Sequence, residues 1–173
     1  MSAKGFWLSQ DGHVAPLIVP VSAGAAVTAT RFSMADYAHA SILLGFGAAG
    51  GPIGAITLKA FAAETGGSGT AIAYRLFKQE ASSGPYDVLA NNSSTGDGNF
   101  PQAATGYTPS ADAANAFYII EVDAADLLAA GVGPYLELDI AVGSLGSTAQ
   151  LLAAYAVLSG GRFTGDQSAT VQA

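Results

Sequence analysis

The stretch Phe117–Ile140, FYIIEVDAADLLAAGVGPYLELDI, constrains the fold of this chain more than any other segment. Tyr118, Ile120 and Val122 alternate with Phe117, Ile119 and Glu121. Successive side chains of a strand point to opposite faces, so this pattern predicts a strand with most of both faces covered. Asp123 then stands as an N-cap, with Asp126 in a capping-box-like spacing and Val122 placed to staple against Leu127. Gly131 or Gly133 is the expected stop, because glycine accepts the left-handed conformation that ends many helices. Tyr135, Glu137 and Asp139 next alternate with Leu136, Leu138 and Ile140, which predicts a second strand with one wet face and one dry face. The result is strand, short helix at 123–130, strand, with no residue required to do chemistry.

Further strands are expected along the rest of the chain. Ala25–Phe32 and Ala40–Phe46 are candidates, joined by a turn over Met34–Tyr37 that Ser33 is placed to cap. Ala55–Ala63 and Ala71–Gln79 read as a hairpin with a long glycine-rich connection. Ser82–Ala113 is polar and turn-rich, with a short strand candidate at Tyr86–Leu89, and Gln150–Leu158 is the last strong strand. Many short strands and one short helix predict an all-β fold, an antiparallel β-sandwich of jelly-roll type. The expected organisation is an extended arm over residues 1–24, a sandwich domain over 25–159 and a polar tail over 160–173.

The arm carries Phe6, Trp7, Leu8, Leu17, Ile18 and Val19 between and around Pro16 and Pro20. A proline-bracketed run reads as an edge strand, either on its own subunit or against a neighbour. Phe6, Trp7, Leu17, Ile18 and Val19 are therefore the candidate partner contacts.

Composition narrows the function classes. Cysteine is absent, which removes disulfides, thiolate metal sites and cysteine nucleophiles. The formal charge is −7 and the six Lys and Arg residues are scattered, so the cationic stripe that nucleic-acid binding needs is missing. No apolar run approaches the roughly 20 residues of a membrane helix, and the first residues, with one Lys and no continuous apolar segment, do not read as a signal peptide. Only 11% of residues are charged, which favours a subunit whose apolar surface a partner covers.

The chemical motifs are weak. Gly45-Phe46-Gly47-Ala48-Ala49-Gly50 spells a dinucleotide fingerprint, but Gly51-Pro52 and a strand pattern follow where a helix must open. His13 and His39 read as loop or turn residues outside any metal-ligand spacing. No G-x-S-x-G elbow places a nucleophile. Glu137 and Asp139 share a strand face, which reads as a solvated face that discourages edge pairing rather than as a calcium or glycosidase pair. Asp97-Gly98-Asn99 lacks the downstream glutamate of a calcium loop. No catalytic, cofactor or metal residue is expected, and neither a nucleic acid nor a membrane is expected as a partner.

Three segments carry a resemblance to a known group. Met34-Ala35-Asp36-Tyr37-Ala38-His39-Ala40 leading into Ser41–Gly47, the strand–turn–strand of Tyr118–Ile140, and Ala153–Phe163 are similar to the small all-β virion proteins that tailed bacteriophages encode near their major capsid protein. Gly160-Gly161 departs from the Asp-Pro-like turn of that group. The resemblance implies a capsid decoration (cement) protein on the exterior of a bacteriophage head, made in the host cytoplasm. It further implies the major capsid protein as partner and a homotrimeric state. A tail, fibre or neck component is the nearest alternative. A carbohydrate-binding sandwich using Tyr86, Phe100 and Tyr107 as stacking platform belongs to a different class.

Overall fold

The computed structural model describes residues 8, 12–47, 53–79, 90–91, 102–103, 106–109, 115–142 and 150–161. Two antiparallel sheets face each other across one apolar core. The strands are β1 (Gly12–Ala23), β2 (Val27–Thr28), β3 (Phe32–Ser33), β4 (His39–Phe46), β5 (Ile53–Phe61), β6 (Thr70–Ala71) and β7 (Tyr74–Gln79). They continue with β8 (Ala90–Asn91), β9 (Gln102–Ala103), β10 (Phe117–Asp123), β11 (Tyr135–Val142) and β12 (Gln150–Ser159). The helix α1 (Ala124–Ala129) lies between β10 and β11.

The larger sheet runs β1-β12-β4-β10-β7-β8, with β9 also on β7. The smaller runs β2-β11-β5-β6, with β3 also on β11. This is a jelly roll. β1 pairs with β12, β2 and β3 with β11, β4 with β10, and β5 with β6, as in one long hairpin of the whole chain. Rolling that hairpin up adds the pairs β12·β4 and β11·β5, which close the two sheets.

Alternation decides which side chains enter the core. Ile42 and Leu44, Tyr118 and Ile120, Leu136, Leu138 and Ile140, and Ile56 and Leu58 are all fully buried. Small residues oppose large ones across the β4–β12 ladder: Ala156 faces Ile42, Ala154 faces Leu44, and Leu158 faces Ala40. Such complementary sizes let two inner faces fill the space between them without voids.

β1 departs from strict alternation. Its register against β12 shifts between Pro16 and Ile18 and again between Ile18 and Val21. A bulge places extra residues on one strand, and here consecutive Leu17 and Ile18 both turn inward while Val19 stays out. Residues 12–23 are thus an edge strand on the chain's own β12.

The expected hairpin of Ala55–Ala63 with Ala71–Gln79 is corrected. Only β6 pairs with β5; after Ile72 the chain changes sheets, and β7 joins β10 in the larger one. Ile72 is buried at the crossing and its N–H still donates to the Leu58 carbonyl. Tyr74, fully buried just beyond, donates its hydroxyl to the Ile56 carbonyl at 2.6 Å and ties the two sheets together. Ala25–Phe32 likewise resolves into two short pieces, β2 and β3, rather than one strand. The Tyr86–Leu89 candidate lies outside the described residues.

The strand–helix–strand reading holds closely. α1 is capped at its C-terminus by Gly131 at φ +66°, with Gly131 N–H donating to Leu128 and Val132 N–H to Leu127. Leu127 and Val122 are both buried in the core, as a staple requires. No described helix is long and apolar enough to cross a membrane.

Candidate functional site

Among the described residues, the densest group of chemistry-bearing side chains lies where β4, β10 and β7 run side by side. Register builds it: Ser41 is opposite Glu121, Glu121 is opposite Arg75, and His39 is opposite Asp123. All five occupy the face of the sheet turned away from the core, because their neighbours Ala40, Ile42, Ile120, Val122 and Leu76 fill the inner face.

His39 is the centre of the group. Its Nδ1 lies 2.7 Å from Asp123 Oδ1 and its Nε2 lies 2.5 Å from Glu121 Oε2. Ser41 Oγ donates to the same Glu121 oxygen at 2.7 Å, and Arg75 Nη1 donates to Asp123 Oδ2 at 2.9 Å. With a carboxylate on each ring nitrogen, the imidazolium is favoured. The hydrogen bond to Glu121, opposed by burial and reinforced by Asp123, pushes the His39 pKa up to about 9. His39 and then Arg75 hold the Asp123 carboxyl below its ordinary range.

Ser41, His39 and Asp123 stand in the order of a nucleophile, base and orienting acid, with Ser41 Oγ 3.3 Å from His39 Nε2. Their chemistry differs from that of a triad. A general base must be neutral at working pH to accept a proton, and an imidazole held near 9 is already charged. Glu121 also takes the Ser41 hydroxyl proton as its hydrogen bond, so the hydroxyl points at a carboxylate rather than at the ring. The group is an ion-pair clasp between three strands and the start of α1. Asp123 occupies the N-cap position of α1 without a side-chain capping bond, since its oxygens face His39 and Arg75.

His13 and His39 are both strand residues, correcting the loop reading. His13 lies in β1 and stacks on Tyr37 with ring centroids 5.9 Å apart. The partners of His39 carry no local signal, because Glu121 and Asp123 are more than 80 residues away.

Glu137 and Asp139 are corrected too. β11 is an interior strand, flanked by β5 on one side and by β2 and β3 on the other, so neither residue guards an edge. Glu137 pairs with Arg31 at 3.0 Å, and Asp139 pairs with Lys59. Arg31 also lies over the Phe61 ring at 3.4 Å and donates from Nη1 to the carbonyls of Ala63, Glu64 and Gly66. Among the described residues, no group of His, Asp and Glu is arranged to hold a metal ion.

A groove of about 690 Å³ runs beside α1, lined by Met34, Ala38, Leu127, Leu128, Val132 and Pro134 among others. Among the described residues, its one ionisable lining residue is Asp123, whose oxygens already face His39 and Arg75.

Of the candidate partner contacts, Phe6 and Trp7 lie outside the described residues. Leu17 and Ile18 are buried in the chain's own core, and Val19 is exposed at 67%. Tyr86 and Phe100 also lie outside the described residues. Tyr107 is half-buried against Tyr118, exchanges backbone hydrogen bonds with Ile56 and accepts a hydrogen bond from Lys78 Nζ, so its ring is not an open stacking surface. No protein family, curated protein or solved structure matches the chain.

Proposed function

We infer that this chain is a virion structural protein, a decoration subunit on the outside of a bacteriophage head. The observation that supports this reading most is a set of ion pairs across strands among the described residues. His39 with Glu121 and Asp123, Arg75 with Asp123, Arg31 with Glu137 and Lys59 with Asp139 are all paired across strands. Such pairs lock strand against strand and leave the groove beside α1 with little to act on a substrate. A rigid sandwich with an acidic, weakly charged surface suits a shell component that faces solvent rather than packaged DNA.

The location on a phage head comes from the resemblance of Met34–Gly47, Tyr118–Ile140 and Ala153–Phe163 to small virion proteins of tailed phages. The partners in this reading are the major capsid protein and further copies of the chain, as a homotrimer. Mass spectrometry and cryo-EM of purified virions test it, together with co-sedimentation of the purified protein with capsids. The expected result is a stoichiometric exterior protein at a repeated lattice position. Absence from virions overturns the reading, and density confined to the tail reassigns the chain to the tail.

A further inference from the structure

We propose that the chain just beyond β12 is a strap that closes the groove beside α1, with the Phe163 side chain seated against Met34, Leu127 and Leu128. This goes beyond the decoration reading and does not depend on it, because the contact is made within one chain.

The groove is apolar. Apart from Asp123, its described walls are Met34, Leu127, Leu128, Val132, Pro134 and alanines. Leu128 is 82% exposed at its side, more than any other large apolar residue described. An apolar side chain that enters a groove of about 690 Å³ lined in this way removes apolar surface from water on both sides of the contact.

Backbone geometry brings the chain to the rim of this groove as it leaves β12. Ala38, a lining residue, donates its N–H to the carbonyls of Ser159 and Gly160 at 3.1 and 3.2 Å. Its own carbonyl accepts from the N–H of Ala124, the first residue of α1, at 2.8 Å. The end of β12, the rim and the helix are thus joined by successive hydrogen bonds. Gly160 turns the chain here with φ +65°, and a side chain on it would lie 2.9 Å from Ala38 Cβ. Only glycine passes the rim so closely in that conformation. Phe163 is the first aromatic residue after this exit, three positions beyond Gly160. Three extended residues span at most about 10 Å. Leu128 lies only about 6 Å along the helix from Ala124, so the ring has the reach it needs.

Proximity selects this occupant over a separate one. A side chain tethered three residues from the rim is held there at an effective concentration of about millimolar or more. A second copy or another protein must displace it. Charge agrees in sign. Beside the groove, the cations His39 and Arg75 face the carboxylates of Glu121 and Asp123, and the charge of Asp126 also acts on Arg75. Two cations against three carboxylates leave negative charge in excess, and Arg162 is the immediate neighbour of Phe163.

The contact can be read in the unaltered full chain. Nuclear Overhauser effects are expected between the Phe163 ring and the methyl groups of Leu128 and Met34. In a mixture of labelled and unlabelled chains they are expected to stay within one chain. The absence of cysteine supplies a second readout. Leu128→Cys combined with Thr164→Cys is expected to close an intramolecular disulfide. Adding Phe163→Ser is expected to slow that closure about tenfold, since the tether is unchanged and only the ring is lost. Equal closure rates with and without Phe163→Ser overturn the proposal, as does the absence of the Overhauser effects. Effects seen only between chains also overturn it and give the groove to a second copy. Effects to Leu128 from the Trp7 ring in place of Phe163 overturn it in favour of the N-terminal arm. Intrachain effects from Phe163 in a chain that is absent from virions support the strap while overturning the decoration reading alone.

Discussion

His39 stabilises the fold in its charged form, and the direction of its shift fixes the pH at which that help disappears. Its pKa is raised from 6.5 to about 9, so the contribution is fully present below pH 6.5 and is lost as pH rises through 9. The side chain is 31% exposed and its carboxylate partners are also partly solvated, so screening reduces the gain to about 1–2 kcal/mol. His39→Gln is expected to be less stable than the unaltered chain by that amount at pH 6, with the gap closing by pH 10. Urea titrations of both proteins at the two pH values check it, and a constant gap refutes the assignment. Arg31 makes a more deeply buried set of contacts. Lysine has no planar fork for Glu137 and three carbonyls at once, and stacks less well on Phe61. Arg31→Lys is expected to cost about 2 kcal/mol and to speed proteolysis between residues 62 and 67. Neither cluster was legible in the sequence. Arg31 and Glu137 are separated by 106 positions, and nothing local marks two distant charges as a pair.

Elements were easier to read than their partners. Phe117–Ile140 declared its strand, helix and strand because each signal in it is local: alternation, a cap position, a glycine stop. The β5–β7 hairpin failed for the same reason. Ile56 and Leu58 alternate as cleanly as Ile72, Tyr74 and Leu76, but alternation says which face is buried and not which sheet a strand joins. Burial of Ile72 and Tyr74 between the sheets pulls the chain across, and that depends on residues far away. The turn from α1 into β11 gives an element-scale test with two glycines two positions apart. Gly131 has positive φ but open space around a notional side chain, so Gly131→Ala is expected to cost about 1 kcal/mol of backbone strain. A side chain at Gly133 would lie 2.1 Å from the Phe61 carbonyl oxygen and 2.4 Å from Ala62 Cα, so the backbone itself must move. Gly133→Ala is expected to cost about 3 kcal/mol or more, as severe overpacking does. Thermal denaturation of the two variants ranks them, and the reverse order would refute this account of the turn.

At the scale of the whole molecule, the jelly roll makes the last strand a condition for the first. β12, the last described strand, lies between β1 and β4 and so supports both. It buries Leu152, Ala154, Ala156 and Leu158, and it holds β1 in the position that buries Leu17 and Ile18. Four large side chains at about 1.5–3 kcal/mol each amount to roughly 6–12 kcal/mol, comparable with the whole stability of a domain. Non-local pairing of this kind also slows folding, since the chain ends must meet before any of that burial is gained. A chain ended after Ala149 is therefore expected to lack a cooperative thermal transition. Removal of residues 1–23 is expected to abolish the transition as well, by taking Leu17, Ile18 and the partner of β12 together. Differential scanning calorimetry of the two truncations beside the full chain tests both. A cooperative transition in the chain ended after Ala149 would mean that β4, β10 and β7 with the smaller sheet form a stable unit by themselves, and that the long hairpin is not what holds the molecule closed.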